Sequence, residues 1–232
     1  MGVREGAMEN PEDPGRWRAG RGPLWLHPDD DLAPNRPGET LLGELAARPV
    51  GRLWRVRDRL LLRSAEAAAL RAALDAEERV GDRLDLLAGV GWRVLHSVPL
   101  PGEAADLSHL AIGPAGVLCL RSVGHRRARL EVGEDAVRID GRRAEPHVRR
   151  CRRDARRAAH ALGRGCGFPV AVRPVLVCVG AASVTVSPAL RDVEVLRESD
   201  LDGLAARGGV LKPDAVEAVH GVARDRRTWR WA

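Results

Sequence analysis

Residues 106–123 have the sequence DLSHLAIGPAGVLCLRSV, which predicts a β-hairpin. Two apolar runs with a two-residue period flank the Gly-Pro-Ala-Gly segment at 113–116, which is typical of a tight turn. If the two glycines pair, the numbers of paired residues sum to 229, so Ser108 lies opposite Arg121. The same period places Arg121 and Val123 on one face of the second strand. These three positions are therefore expected to lie close together.

The pattern on either side of the hairpin alternates between helices and strands. We expect a long helix that Ser64 caps and Gly89 ends, a strand at 92–98, and a basic amphipathic helix at 147–162. Further strands are predicted at 129–132, 136–139, 172–179, 184–186 and 193–196, and a last helix near residue 213. This order predicts the α/β class, with a mixed sheet and flanking helices.

The chain divides into three parts by composition. Residues 1–37 are rich in proline, glycine and charge and are predicted to be a disordered extension, with the acidic triplet at 29–31 in a solvated loop. Residues 38–63 carry helical patterns and are predicted to form a helical appendage. Residues 64–232 form the main predicted domain. The proline-rich N-terminal part could also serve as a contact segment for a protein partner.

The composition excludes several classes of protein. The chain has 232 residues, of which 44% are hydrophobic, but no apolar run approaches the length of a membrane span. No apolar segment of the signal-peptide type is visible near the N-terminus, so we expect a soluble cytoplasmic protein. The four cysteines do not have the spacing of a zinc motif and are expected to be buried, reduced thiols.

The basic charge is concentrated in one segment. Between residues 121 and 157 there are 13 arginines and six acidic residues, so this segment carries +7, whereas the whole chain carries +6. Such a segment favours a basic face that meets phosphates, although a solvated arginine-rich surface would give the same counts. The candidate nucleic-acid-binding residues are Arg126, Arg127, Arg129, Arg149, Arg150, Arg153, Arg156 and Arg157.

One acidic residue lies in the middle of an apolar helix face. Glu77 falls on the stripe formed by Leu70, Leu74, Gly81, Leu84 and Ala88. A carboxylate on such a face is costly unless it meets a cation or a metal. Glu77 is therefore a candidate site carboxylate; the alternative is a side chain that reaches solvent at the helix edge.

Several segments, taken in order, resemble the nuclease-related domain (NERD) family. They are residues 76–81 (AEERVG), 91–96 (GWRVLH), 106–117 (DLSHLAIGPAGV), 173–177 (RPVLV) and 227–230 (RTWR), the last being similar to actinobacterial members. The resemblance covers roughly residues 64–230. It implies a fold like that of the restriction-endonuclease superfamily and an action on DNA.

The resemblance also implies a site, and this chain departs from it. The family pattern is a helix Glu, an Asp-His pair on the second strand, and Glu-x-Lys or Asn-x-Lys on the third. Glu77 and His109 match it, but Ser108 replaces the Asp, Arg121 replaces the acid or amide, and Val123 replaces the Lys. Magnesium-assisted cleavage needs oxygen ligands and a group that activates water. No metal ligand set and no cofactor are therefore predicted.

These observations lead to a main hypothesis and several alternatives. The main one is a catalytically degenerate nuclease-related domain that binds DNA non-specifically or makes a regulatory or structural contact. The alternatives are a residual Mg²⁺-dependent nuclease that uses Glu77 and Asp106, and a protein-interaction module. Acid–base chemistry by His109 with His125, or a nucleophilic Ser108, is a weaker alternative because no orienting acid is evident. In the degenerate site we expect Arg121 to contact Glu77, directly or through one water.

Overall fold

The computed structural model describes residues 26–47, 57–101 and 106–232. Its α-helices in this part of the chain are α1 (Glu39–Ala47), α2 (Arg57–Asp85), α3 (His147–Cys166) and α4 (Pro213–Ala223). Its strands are β1 (Arg93–Val98), β2 (Leu107–Gly113), β3 (Gly116–Gly124), β4 (Arg129–Val132), β5 (Val137–Ile139), β6 (Arg143–Glu145), β7 (Val172–Val179), β8 (Ser183–Val186) and β9 (Glu194–Arg197). The predicted mixed α/β class with flanking helices is confirmed.

The strands form two sheets. The larger sheet has the order β1-β2-β3-β7-β9, with antiparallel pairs up to β3 and parallel pairs from β3 to β9. The smaller sheet has the order β6-β5-β4-β8. The sequence pattern predicted most of these strands but neither β6 nor their separation into two sheets. The short strands carry too little apolar surface to indicate which sheet they join.

The hairpin has the predicted register. Gly113 pairs with Gly116 and His109 with Leu120, so the numbers of paired residues sum to 229. Gly113 is required here by the ring of Trp92, since a Cβ at this position would lie 2.1 Å from the indole. Continued by one residue, the register places Ser108 opposite Arg121.

Helices α2 and α3 cover opposite faces of the larger sheet. Ala76, Val80 and Leu84 of α2 pack in one apolar cluster with Leu118 and Leu120 of β3. On the other face, the buried side of α3 packs against residues of β2, β3 and β7. The close approach of α2 depends on Gly124, where a Cβ would lie 2.6 Å from the Ala72 carbonyl oxygen. The C-terminal end of β3 is therefore enclosed between the two helices.

Helix α2 begins earlier than predicted. It starts at Arg57, so Ser64 lies inside the helix and does not cap it. A 3-10 helix, Leu86–Val90, follows it, and Gly91 in the left-handed region, rather than Gly89, ends this segment. The predicted division at residues 63/64 falls inside α2, and the domain boundaries stay a prediction.

The structure describes residues 26–47 of the N-terminal segment. Leu32 has no exposed surface and belongs to the core on the α3 side. The boundary of the predicted disordered extension at residue 37 stays a prediction. Asp31, predicted to lie in a solvated loop, pairs with Arg224 (Oδ1 to Nε, 2.9 Å). Its neighbour Leu32 donates its N–H to the carbonyl of Arg224. The sequence pattern missed these contacts because they join distant segments. Residues 1–25 lie outside the described residues.

The cysteines and the helices agree with the expectations from composition. Cys119, Cys151, Cys166 and Cys178 are buried and free. Among the described residues, no helix combines the length and the apolar character that crossing a membrane would require.

Candidate functional site

Four of the six predicted site residues line one cavity of about 380 Å³. They are Glu77, Asp106, Ser108 and Arg121. The remaining wall comes from α1, the strand ends and α3, and consists of Thr40, Leu41, Glu44, Ser97, Leu107, Arg150 and Arg153. The fold therefore brings the helix carboxylate and the two central hairpin positions together, as the sequence predicted.

Glu77 has neutral hydrogen-bond partners. The Ser108 hydroxyl donates to Oε1 of Glu77 at 2.7 Å, and the backbone N–H of Gly38 also donates to this carboxylate. Burial raises the pKa of Glu77, and the bond from Ser108 and the nearby charge of Arg121 only partly oppose this shift. Ser108 thus satisfies Glu77 without supplying a positive charge.

Arg121 pairs with a carboxylate that the sequence analysis did not select. Its Nε donates to Oδ2 of Asp154 at 3.1 Å, and its terminal Nη2 donates to the same oxygen. The predicted direct contact of Arg121 with Glu77 is wrong, because Arg121 pairs with Asp154 although it lines the same cavity as Glu77. A contact through one water stays a prediction. Burial lowers the pKa of Arg121, but the adjacent Asp154 outweighs this and the pKa lies above its ordinary value.

Asp154 was missed although its position carries a signal. It lies three residues after Cys151 and four before Ala158, both of which are fully buried on the inner face of α3. The same spacing argument that selects Glu77 would have selected Asp154. In the sequence it is one of the six acidic residues between residues 121 and 157.

Asp106 lies in the same cavity, but its oxygens have partners. Oδ2 accepts from the Thr40 hydroxyl, and Oδ1 accepts from the Leu100 backbone N–H at 3.3 Å. Its charge is close enough to contribute to the raised pKa of Glu77. The two carboxylates are thus near each other, although each has its own hydrogen bonds.

His109 belongs to a buried polar chain rather than to the cavity. Its Nδ1 lies 2.8 Å from Nδ1 of His96, its Nε2 lies 3.1 Å from the Ser122 hydroxyl, and Nε2 of His96 lies 3.0 Å from Asp85. Because Asp85 accepts, the arrangement fixes His96 as the Nε2–H tautomer, and His109 then donates through Nδ1 and accepts from Ser122. Burial, together with His96, holds the pKa of His109 well below its usual range.

The comparison with protein families bears on this arrangement. The family model of the nuclease-related domain, NERD, matches residues 72–179. This NERD segment includes the hairpin, the C-terminal 14 residues of α2, and all of α3 and β7. No curated protein and no solved structure matches the chain.

Val123 lies within the NERD segment as part of an apolar cluster. It is 2% exposed and packs with residues of β7 and α3, among them Leu176, Cys178 and Val148. The only lysine of the chain, Lys212, follows Leu211, whose N–H donates to Pro114 in the hairpin turn, at the opposite end of β3 from Val123. Neither residue places a proton-transfer group at the end of β3.

The five predicted arginines of α3 share one side of the helix. At about 100° per residue they fall within an arc of about 120°, opposite the buried face. The set is Arg149, Arg150, Arg153, Arg156 and Arg157. Arg157 donates to the carbonyls of Pro101 and Ala232, and Arg150 and Arg153 reach the rim of the cavity.

The other three predicted arginines lie between the end of β3 and the start of β4. Arg126 lies against Gly180, close to the guanidinium of Arg79 in α2. The backbone N–H of Arg127 donates to Gly180, and that of Arg129 donates to Asp140. The grouping of Arg126, Arg127 and Arg129 with the α3 arginines stays a prediction.

A second cluster of titratable groups lies at the end of β3. His125, Glu145 and His147 are half-buried, and one potential ligand atom of each lies within 4.8 Å of the others. Burial lowers the pKa of His147 to about 4, although Glu145 opposes the shift. His125 does not pair with His109, as one alternative required, because His109 contacts His96 and Ser122. The Glu-x-His spacing at 145–147 is the sequence signal of this cluster.

Proposed function

We propose that the NERD segment is a catalytically degenerate nuclease-related domain that binds duplex DNA through its phosphates. The observation that supports this most directly is the arginine arc of α3, with Arg150 and Arg153 at the rim of the cavity that holds Glu77. Guanidinium groups on one side of a helix bind the phosphate backbone without reading its sequence. DNA in the cytoplasm is the proposed partner.

The residues of the cavity fit a catalytic Mg²⁺ poorly. Mg²⁺ requires near-octahedral oxygen ligation, usually with one or two free carboxylates. Glu77 accepts hydrogen bonds from Ser108 and Gly38, and the guanidinium of Arg121 adds a positive charge nearby. The position of the family Lys is occupied by the buried Val123. This donor set supports loss of the cleavage chemistry, so we derive no catalytic step through a metal.

Binding to duplex DNA of arbitrary sequence tests the proposal. We expect the double variant Arg149→Glu/Arg156→Glu to weaken binding by more than tenfold, and to lower the slope of log affinity against log salt by about 2, since each phosphate contact contributes about 0.9. The matched control is Arg71→Glu/Arg142→Glu, which changes two exposed arginines outside α3 and gives the same net charge. Fluorescence anisotropy between about 50 and about 200 mM salt measures both quantities.

Two outcomes would contradict this proposal. Equal weakening by both double variants would show that overall charge, and not the α3 surface, determines binding. Binding that is absent or insensitive to salt would favour the protein-interaction module, whose proline-rich candidate segment lies mostly outside the described residues.

A residual Mg²⁺-dependent nuclease is a second candidate function. It is favoured by one observation: Glu77 and Asp106 line the same cavity. With purified protein and either Mg²⁺ or Mn²⁺, we expect no cleavage of duplex or single-stranded DNA above the level of Glu77→Gln. Cleavage by the wild type that Glu77→Gln abolishes would establish this candidate and end the degenerate-site proposal.

A further inference from the structure

The cluster at the end of β3 joins three elements that are distant in sequence. His125 directly follows β3, Glu145 is the last residue of β6, and His147 is the first residue of α3. The cluster therefore lies where the larger sheet, the smaller sheet and α3 meet. It lies outside the cavity that contains Glu77.

Two imidazoles and a carboxylate converge at this point. Nε2 of His147 lies 2.9 Å from Oε2 of Glu145, and the centroids of the His125 and His147 rings are 6.3 Å apart. One potential ligand atom from each residue falls within 4.8 Å of the other two, so a single ion could contact all three after small side-chain movements.

The ring of His147 has an unsatisfied lone pair. Nδ1 is buried and has no hydrogen-bond partner among the described atoms. If Nε2 carries the proton and donates to Glu145, the lone pair on Nδ1 has no donor. If Nδ1 carries the proton, the lone pair on Nε2 faces the carboxylate oxygen instead. In either neutral tautomer one ring nitrogen thus has a lone pair with no hydrogen-bond donor, and a metal ion could bind that lone pair.

We propose that His125, Glu145 and His147 bind a divalent transition-metal ion of the Zn²⁺ type. Two His and one Glu are a typical three-ligand zinc set, which leaves one coordination position open. The three residues are half-buried, so water or an oxyanion can reach that position. Mixed imidazole and carboxylate ligation favours Zn²⁺ over Mg²⁺, which prefers oxygen ligands.

The surroundings tolerate an added cation. Arg121 is close enough to lower the pKa of His147, but its charge is paired with that of Asp154. Glu145 also pairs with Arg143, whose Nε lies 3.3 Å from Oε1, but the Arg143 side chain is 81% exposed. Water can solvate this guanidinium when an ion takes its place, so the charge of Glu145 can then balance the ion. The proposal does not depend on DNA binding or on the loss of nuclease activity.

Calorimetric titration of metal-free protein with Zn²⁺ tests the site. We expect one ion per chain, and a loss of affinity of at least about 100-fold in His125→Gln and in Glu145→Gln, because even loss of an outer-shell partner can cost that much. The matched control is His160→Gln, which changes an exposed histidine of α3 and should leave the affinity unchanged. Mg²⁺ in large excess should not displace Zn²⁺.

A spectroscopic measurement and a stability measurement accompany the titration. Co²⁺ in place of Zn²⁺ should give the intense visible absorption of a four-coordinate site in the wild type and in His160→Gln only. Zn²⁺ should raise the Tm of these two proteins but not that of the ligand variants, whose metal-free Tm checks their folding.

Several results would overturn the proposal. They are absence of Zn²⁺ binding, binding that survives both His125→Gln and Glu145→Gln, or displacement of Zn²⁺ by Mg²⁺.

Discussion

Glu77 and Asp154 are two buried carboxylates with opposite kinds of partner. They lie on α2 and α3, the helices that cover opposite faces of the larger sheet. Glu77 meets the neutral hydroxyl of Ser108, whereas Asp154, whose side chain is 2% exposed, meets the guanidinium of Arg121. Ser108 thus bonds to a side chain of α2, and Arg121 pairs with a side chain of α3.

The difference shows two ways in which a buried carboxylate is satisfied by protein groups. The charges of Arg121 and Asp154 balance each other without an ion. These two side chains are therefore not available as metal ligands. A carboxylate that has only neutral donors and a raised pKa is costly to ionise in the folded protein. The Glu77 side therefore keeps a titratable group near the cavity without the charge partners of a metal centre.

The largest expected effect comes from removing Asp154. Asp154→Ala leaves the buried guanidinium of Arg121 without its counter-charge, and we expect a loss of about 3–5 kcal/mol in the free energy of unfolding. Urea denaturation measures this loss. The double variant Asp154→Leu/Arg121→Met is the control, because replacing both charges with apolar groups should be nearly neutral.

A small loss in the free energy of unfolding for Asp154→Ala would contradict the difference drawn between Asp154 and Glu77. A loss below about 1 kcal/mol, the range of an exposed ion pair, would mean that water in the cavity solvates Arg121. Glu77 and Asp154 would then differ in neighbours but not in energetic role.

An intermediate effect is expected from removing the hydroxyl that satisfies Glu77. Ser108→Ala deletes one donor to a buried carboxylate and should lower the free energy of unfolding by about 1–3 kcal/mol. A double-mutant cycle with Glu77→Gln isolates the coupling between the two side chains. Additive losses would show that this hydrogen bond contributes nothing beyond the separate packing of each residue.

The smallest expected change in the free energy of unfolding at neutral pH comes from ionisation of Glu77. It is also the most specific prediction. Because the pKa of Glu77 is raised in the folded state, the unfolded chain loses this proton first as pH rises. The wild type should therefore lose stability relative to Glu77→Gln as pH increases above the ordinary carboxyl pKa of 4.5. Parallel denaturation curves of both proteins from about pH 4 to about pH 8 measure the difference. A difference that grows in the opposite direction would mean that the folded state favours the charged form.

The parts of the fold that follow from local pattern were predicted from the sequence. The hairpin register followed from the turn, since the two strands are adjacent in the chain and the glycines fix their pairing. Glu77 was found because it interrupts an apolar stripe at helical spacing. β7 was found because both of its faces are apolar over several residues.

The remaining features depend on contacts between distant segments. Asp154 has the same helical signal as Glu77, but the abundance of neighbouring arginines made it resemble a surface acid. Helix α2 extends to Arg57, where the chain offers no distinctive cap, and the smaller sheet combines short strands from separated segments. The His125–Glu145–His147 cluster forms only where β3, β6 and α3 come together in the fold.

The pairing of Asp31 with Arg224 also has a consequence for the order of folding. The two residues are 193 positions apart, yet an ion pair, a β-bridge between Asp31 and Asp225 and the buried side chain of Leu32 hold the segments together. The chain between Asp31 and Arg224 is thus a long loop whose ends these contacts hold together. The entropy lost on closing a loop grows with its length. The contacts between the Asp31 and Arg224 segments should therefore form after the shorter-range contacts of the hairpin and helices.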